Sequence, residues 1–158
     1  MRVRLLPIVA AGIVGFGVAA VAEGATKRQI IDRSAEICAN GDRAMQPYDD
    51  RTNQAAERGD RRAVVRNARR SIEIGARHLG RLADLRPPPA GRRHYRNFVE
   101  HTRTMANWLD AAVDAFASRR DRLAERRDQE ARRWSGRAKA SARQYGLRRA
   151  CIRFVSLG

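Results

Sequence analysis

The chain has 158 residues, the size of one domain, and its 33 Lys and Arg against 17 Asp and Glu give a formal net charge of +16. An apolar share of 43% excludes a fully disordered chain, because disorder requires low hydrophobicity as well as high charge. Two cysteines are too few for a disulfide-dense scaffold or for a four-cysteine zinc site.

An uncharged apolar run opens the chain. Arg2 and Arg4 precede the 18 uncharged residues 5–22, which end on small side chains. These features are typical of a secretory signal peptide. The run also approaches the ~20 residues of a membrane-spanning helix, so a retained anchor is the alternative. The sequence therefore predicts residues 1–22 as a signal peptide or transmembrane anchor, and residues 23–158 as an extracytoplasmic domain, secreted or held at the cytoplasmic membrane.

The first helix of the predicted exported domain has a recognisable start and a proline near its middle. Thr26 and Gln29 have the form of a capping box, which predicts that the helix begins there. Pro47 predicts an interruption, because proline lacks the backbone N–H and restricts the residue before it. We therefore expect residues 48–58 to form a second short helix or a kinked continuation.

Three longer amphipathic helices follow. A glycine and an aspartate at 59–60 predict a helix end and a new start, so the second long helix covers about 61–85 and ends before three prolines. A tight link at 118–121, capped by its serine or its aspartate, divides the third helix from the fourth, with one continuous helix as the alternative. Gly146 predicts the end of the fourth. The heptad spacing of the third helix places four side chains at the centre of the core: Phe98, Met105, Leu109 and Phe116.

Long stripes and short links predict an all-α fold, an antiparallel bundle of three to four helices after the N-terminal signal or anchor helix. Outside the cytoplasm two lone cysteines tend to pair. In an up-down bundle the end of the fourth helix returns to the first, and residues 147–151, if extended, reach ~17 Å. We therefore expect Cys38 to be bonded to Cys151, with two buried free thiols as the alternative.

Several short motifs point to a group of proteins. Ile37-Cys38-Ala39 lies in the first exported helix, Leu85-Arg86-Pro87-Pro88 ends the second, and Tyr145-Gly146-Leu147 precedes Cys151. This set resembles uncharacterised small exported helical proteins of high-GC Gram-positive bacteria. Their usual ending places two residues between Leu and Cys, where this chain has three. The resemblance implies a helical bundle with a disulfide, and it implies no chemistry.

Motifs that carry catalysis or bind metals are missing from the sequence. His94 and His101 lie seven residues apart, ~10 Å along a helix, which is too far for one zinc ion to bind both. No phosphate-binding glycine loop and no nucleophile elbow occurs. We therefore expect no catalytic residue, no metal site and no cofactor, and hence a protein that is not an enzyme.

The last helix and the tail form the most basic region of the sequence. Residues 119–153 carry thirteen cationic side chains against four carboxylates. Helical spacing puts Arg126, Arg133 and Arg137 on one face, which predicts a surface that attracts polyanions. The alternative is an ordinary solvated surface, rich in Arg because GC-rich codons favour Arg over Lys.

Together these observations predict a non-enzymatic protein of the cell envelope, exported or membrane-tethered, with a binding or scaffolding role. The alternative function is electrostatic binding of a polyanion through the basic last helix. Its partners would be an anionic wall polymer or lipid headgroups, and the membrane itself through residues 5–22 if that segment is uncleaved. The charge would also suit nucleic acid, but the export segment argues against that partner. No pattern in the chain selects an oligomeric state.

Overall fold

A computed structural model describes residues 25–156 of the chain, so the predicted signal or anchor at 1–22 lies outside the described residues. The described part is all helical, without strands, and confirms the predicted all-α bundle. None of its helices is long and apolar enough to cross a membrane. The helices are α1 (Lys27–Glu57), α2 (Arg61–Ala83), α3 (Arg92–Ala117), α4 (Asp121–Tyr145) and α5 (Arg149–Phe154).

Helix α1 begins as predicted and continues further than predicted. The Thr26 side chain accepts a hydrogen bond from the Gln29 backbone, and the Gln29 side chain accepts one from the Thr26 backbone at 2.8 Å. The helix then runs through Pro47 to Glu57, so of the two expectations for residues 48–58 the separate short helix is wrong, and the segment continues α1. The missing backbone donor costs about 3 kcal/mol in a helix interior. Packing of α1 against α2 outweighs that cost, because tertiary contacts supply most helix stability.

The predicted links between helices are largely confirmed. Gly59 and Gly146 both have positive φ, +70° and +92°, the conformation that ends a helix. The break between α3 and α4 is also present, but the residue before the first turn of α4 is Arg120. Neither Ser118 nor Asp121 acts as the predicted cap. The Asp121 carboxylate instead binds Arg61 at 2.8 Å.

The packing order departs from a simple four-helix bundle. Helix α1 packs on α2, α2 on α3 and α3 on α4, whereas no Cα atom of α1 lies within 8 Å of one in α4. The short helix α5 contacts both and fills part of the gap. Residues 147–151 are not an extended segment, because α5 begins at Arg149. The chain closes the bundle with a fifth helix instead.

A disulfide and two ion pairs hold α5 against α1. Cys38 and Cys151 are bonded, as predicted, with their Cα atoms 5.0 Å apart and both residues fully buried. Arg148 pairs with Asp32, and Arg153 Nε lies 3.8 Å from an Asp42 carboxylate oxygen. On the side of α5 that faces α1, Phe154 packs against Gly41, where a Cβ atom would lie only 2.6 Å from the ring. This glycine is thus needed for the close approach of α5.

The core is centred on the disulfide, and it contains only half of the side chains predicted for its centre. Phe98 and Met105 are buried, with 0% and 6% of their surface exposed. Leu109 and Phe116 are half-buried, so their predicted central position is wrong. Both lie in the C-terminal half of α3. There the Arg61 guanidinium lies over the Phe116 ring at 4.0 Å.

Two buried tyrosines lie beside the disulfide. The rings of Tyr95 and Tyr145 meet edge to face, 5.1 Å between centroids. The Tyr95 hydroxyl donates a hydrogen bond to the Leu82 carbonyl at 2.9 Å and lies 3.3 Å from the Ser34 hydroxyl. Burial raises the pKa of Tyr95 to about 12 and also raises that of Tyr145. The fold therefore moves the deprotonation of both tyrosines to higher pH.

The position of the core leads to a first prediction. Phe98→Ala should lower the free energy of unfolding by about 3–5 kcal/mol, because it leaves a cavity in the fully buried centre. Phe116→Ala, at the half-buried end of the same helix, should cost only about 1–2 kcal/mol. Urea unfolding followed by circular dichroism measures both. Equal losses for the two variants would contradict the placement of the core.

The buried tyrosine leads to a second prediction. An unfolded chain releases the Tyr95 proton near pH ~10, whereas the folded protein keeps it to about 12. The unfolded state therefore gains relative stability as the pH rises between those values, and between pH 9 and pH 11.5 the protein should lose about 2 kcal/mol. Urea midpoints at pH 9 and pH 11.5 measure the loss. Tyr95→Phe should show a clearly smaller decrease, and an equal decrease would assign the effect to other groups.

A third prediction concerns the disulfide. It closes a loop with a sequence separation of 113, for which the loss of chain entropy in the unfolded state is worth roughly 4–5 kcal/mol. Replacing both cysteines by Ala should lower the free energy of unfolding by up to that amount. Peptide mapping without reductant should recover the Cys38–Cys151 pair from the parent. Two free thiols in protein purified from its native host would contradict the bond.

Candidate functional site

The most basic long helix of the described chain is α2, which the sequence analysis did not single out. It carries seven arginines and one carboxylate, Glu73, whereas α4 balances eight cations with four carboxylates. Charge summed over the C-terminal third of the sequence favours α4, because the basic tail adds to that sum. A charge count for each predicted helix separately would have identified α2. Whether one of these arginines can bind a ligand depends on the ion pairs and hydrogen bonds that it already forms in the structure.

A shallow groove of about 840 Å³ follows the exposed face of α2. Arg62, Arg66 and Arg69 are spaced by four and three residues, so they form one stripe along that face. The turn between α3 and α4 adds Arg119, whose φ of +57° is left-handed. We call this the α2 groove, lined among others by Tyr48, Arg61, Arg62, Val65, Arg66, Arg69, Arg70 and Arg119.

Arg61 lines the α2 groove, but its side chain joins helices to one another. Its guanidinium donates two hydrogen bonds to the Asp121 carboxylate, at 2.8 and 3.1 Å, and one to the Phe116 carbonyl at 2.6 Å. These bonds to Arg61 lower the pKa of Asp121 and raise that of Arg61. The side chain thus joins the start of α2 to the end of α3 and the start of α4. These three hydrogen bonds leave the Arg61 guanidinium unavailable for a ligand.

The other arginines of the α2 groove fall into two groups. Arg69 pairs with Asp114 and Arg70 with Glu73, at 2.8 and 2.9 Å. Arg62, Arg66 and Arg119 have no carboxylate within ion-pair distance among residues 25–156. Three unpaired guanidinium groups on one open groove can bind several anionic oxygens at once, because each presents a planar set of donors.

The predicted arginines of α4 share a face as expected, but their side chains are partly engaged. All three are exposed. Arg133 pairs with Glu130 at 2.6 Å, and Arg137 lies over the Trp134 ring at 4.4 Å. Arg126 has no ion pair with any described carboxylate. The face at Arg126, Arg133 and Arg137 therefore stays a predicted second surface, with fewer unpaired charges than the α2 groove.

The histidines are dispersed and serve different local contacts. His78 Nδ1 lies 2.9 Å from the Ile74 carbonyl, and His101 Nδ1 lies 3.2 Å from the Ser141 hydroxyl. His94 Nδ1 is buried without a hydrogen-bond partner in the described structure. Within that part of the chain, no group of three or more His, Cys, Asp or Glu side chains could hold a metal ion.

Comparison with known proteins finds no matching family model, no similar curated protein and no similar solved structure. The resemblance to small exported helical proteins of high-GC Gram-positive bacteria therefore stays a prediction.

Proposed function

We propose that the protein is a non-enzymatic binding protein of the cell envelope, exported or membrane-tethered, whose α2 groove binds phosphate-bearing polyanions. The observation that carries this proposal is the presence of three unpaired arginines, Arg62, Arg66 and Arg119, on one open groove. The ligand chemistry is a series of phosphodiesters, which a wall polymer or a layer of anionic lipid headgroups can supply.

The form of the groove supports an extended or planar partner. It is shallow and open along α2, whereas pockets for small molecules enclose most of their ligand. Arginine suits this task, since its planar guanidinium binds phosphate oxygens in pairs and stays charged at any physiological pH. The overall positive charge adds long-range attraction, which increases the rate of encounter with an anionic surface.

The location is supported by two features of the chain. The apolar N-terminal run has the form of an export signal or anchor, and the buried disulfide is compatible with an oxidising compartment. Nucleic acid offers the same phosphate chemistry, but an exported protein does not normally meet it. The envelope polymers and lipids are therefore the proposed partners.

The fourth prediction compares three sets of variants, each of which removes three positive charges. Changing Arg62, Arg66 and Arg119 to Gln should weaken binding by roughly threefold to a hundredfold at low salt, because exposed charge pairs each contribute about 0.2–1 kcal/mol. The probes are vesicles containing phosphatidylglycerol and a purified poly(glycerol phosphate) polymer, which distinguish the two sources of phosphate. Binding by the parent should fall steeply as salt rises.

Two other triple variants serve as matched controls. One changes the predicted α4 face, at Arg126, Arg133 and Arg137, and the other changes three exposed arginines outside both surfaces: Arg81, Arg93 and Arg143. Both should bind more strongly than the α2 groove variant, and all three should melt close to the parent. Equal losses in all three sets would contradict a defined groove and leave net charge as the cause. A greater loss of affinity for the α4 variant would indicate that the polyanion binds to α4 and not to the α2 groove.

A further inference from the structure

The gap between α1 and α4 is only partly filled by α5. Beyond the end of α5, marked by Phe154 and Ser156, a cleft of about 460 Å³ opens between the four long helices. That volume lies within the range of small-molecule sites, ~300–1,000 Å³. The cleft belongs to a different part of the bundle from the α2 groove and has a different chemistry.

The floor of the cleft is apolar. Ile72, Leu109 and Val113 line it and are only half-buried, although their spacing on α2 and α3 is that of core residues. Two methionines, Met45 and Met105, line it as well. Methionine adapts to irregular shapes, because its unbranched side chain has three rotatable bonds. The cleft therefore explains why part of the predicted core stripe is left uncovered.

A carboxylate stands at the mouth of this cleft. Asp49 is exposed, and its Oδ1 accepts a hydrogen bond from the Ser71 hydroxyl at 2.7 Å. Partial desolvation of its carboxyl raises the pKa of Asp49, and the nearby Asp50 and Asp42 carboxylates add to that effect. Among the described residues no Lys, Arg or His lies within ion-pair distance of Asp49. This carboxylate thus lacks a cation in a chain that has a large excess of arginine.

The other charges of the lining compensate one another. Asp128 and Arg132, which lie on α4, form an ion pair at 2.8 Å. Among the described residues that line the cleft, the charged side chains are therefore this ion pair and Asp49, and their net charge is negative. An apolar floor below an unpaired carboxylate is complementary to a molecule with an apolar body and a positive head.

We propose that the cleft binds an amphiphilic cation, an alkylammonium compound whose charged head contacts Asp49 while its apolar body covers Ile72 and Leu109. The overall charge of the protein repels cations, so only the local carboxylate and the apolar floor can hold such a ligand. This binding is separate from the proposed polyanion binding, since it uses none of the residues of the α2 groove.

The experiment uses the full chain and decyltrimethylammonium below its micelle concentration, with binding measured by calorimetry. Asp49→Asn should weaken binding by about tenfold or more, because the interaction with a charged group is lost. The matched control is Asp50→Asn, which removes the same charge one residue away, outside the cleft lining. It should change the affinity by less than about threefold, as expected for an exposed, screened charge.

A second variant and two further probes keep the test decisive. Ala106→Phe places a large side chain in the lining and should also abolish binding of the cation while Asp49 is intact. For decanol and decyl sulfate, which have the same chain length, Asp49→Asn should not weaken binding. Equal affinity for decanol and the cation would overturn the proposal in favour of a site for neutral chains. Absence of measurable cation binding by the parent, or equal effects of the two aspartate variants, would also overturn it.

Discussion

The Cys38–Cys151 disulfide joins α1 to α5 and so determines how the bundle is closed. The two outer helices of the series, α1 and α4, do not contact each other through their backbones, and α5 stands between them. A helix of six residues would not be stable on its own. The covalent bond, the two ion pairs to α1 and the contact of Phe154 with Gly41 keep it in place. Helix α5 fills part of the gap between α1 and α4, and the open cleft is the part that α5 leaves unfilled.

Charge is distributed unevenly around this frame. Helix α1 carries six carboxylates and five cations, and it supplies the acidic partners of Arg148 and Arg153. Helix α2 has almost no carboxylates of its own, so most of its arginines either reach across to other helices or face solvent. Mutual repulsion along α2 destabilises the folded state, because like charges one turn apart oppose each other. The anionic partner proposed above would relieve this repulsion.

Local signals in the sequence predicted local structure well. The capping box at Thr26, the glycine ends at Gly59 and Gly146 and the all-helical fold are set by short-range preferences. Continuation through Pro47 and the half-burial of Phe116 depend on packing between helices, which no local pattern contains. The unpaired arginines of α2 could not be found from sequence either, since ion pairs such as Arg61–Asp121 join residues that are distant along the chain.

The large separation of the two cysteines also determines the order in which the protein can mature. Contacts between neighbouring helices are local, so the pairs α1–α2 and α3–α4 can form early. The disulfide must wait until Cys151 has emerged and the four long helices have come together, since its loop spans a sequence separation of 113. Until then α5 is not linked to α1 and the two cysteines are free thiols, so oxidation becomes the step that completes folding. A chain that passes through a membrane in extended form would meet this requirement, because it reaches the oxidising side unbridged and closes only after release.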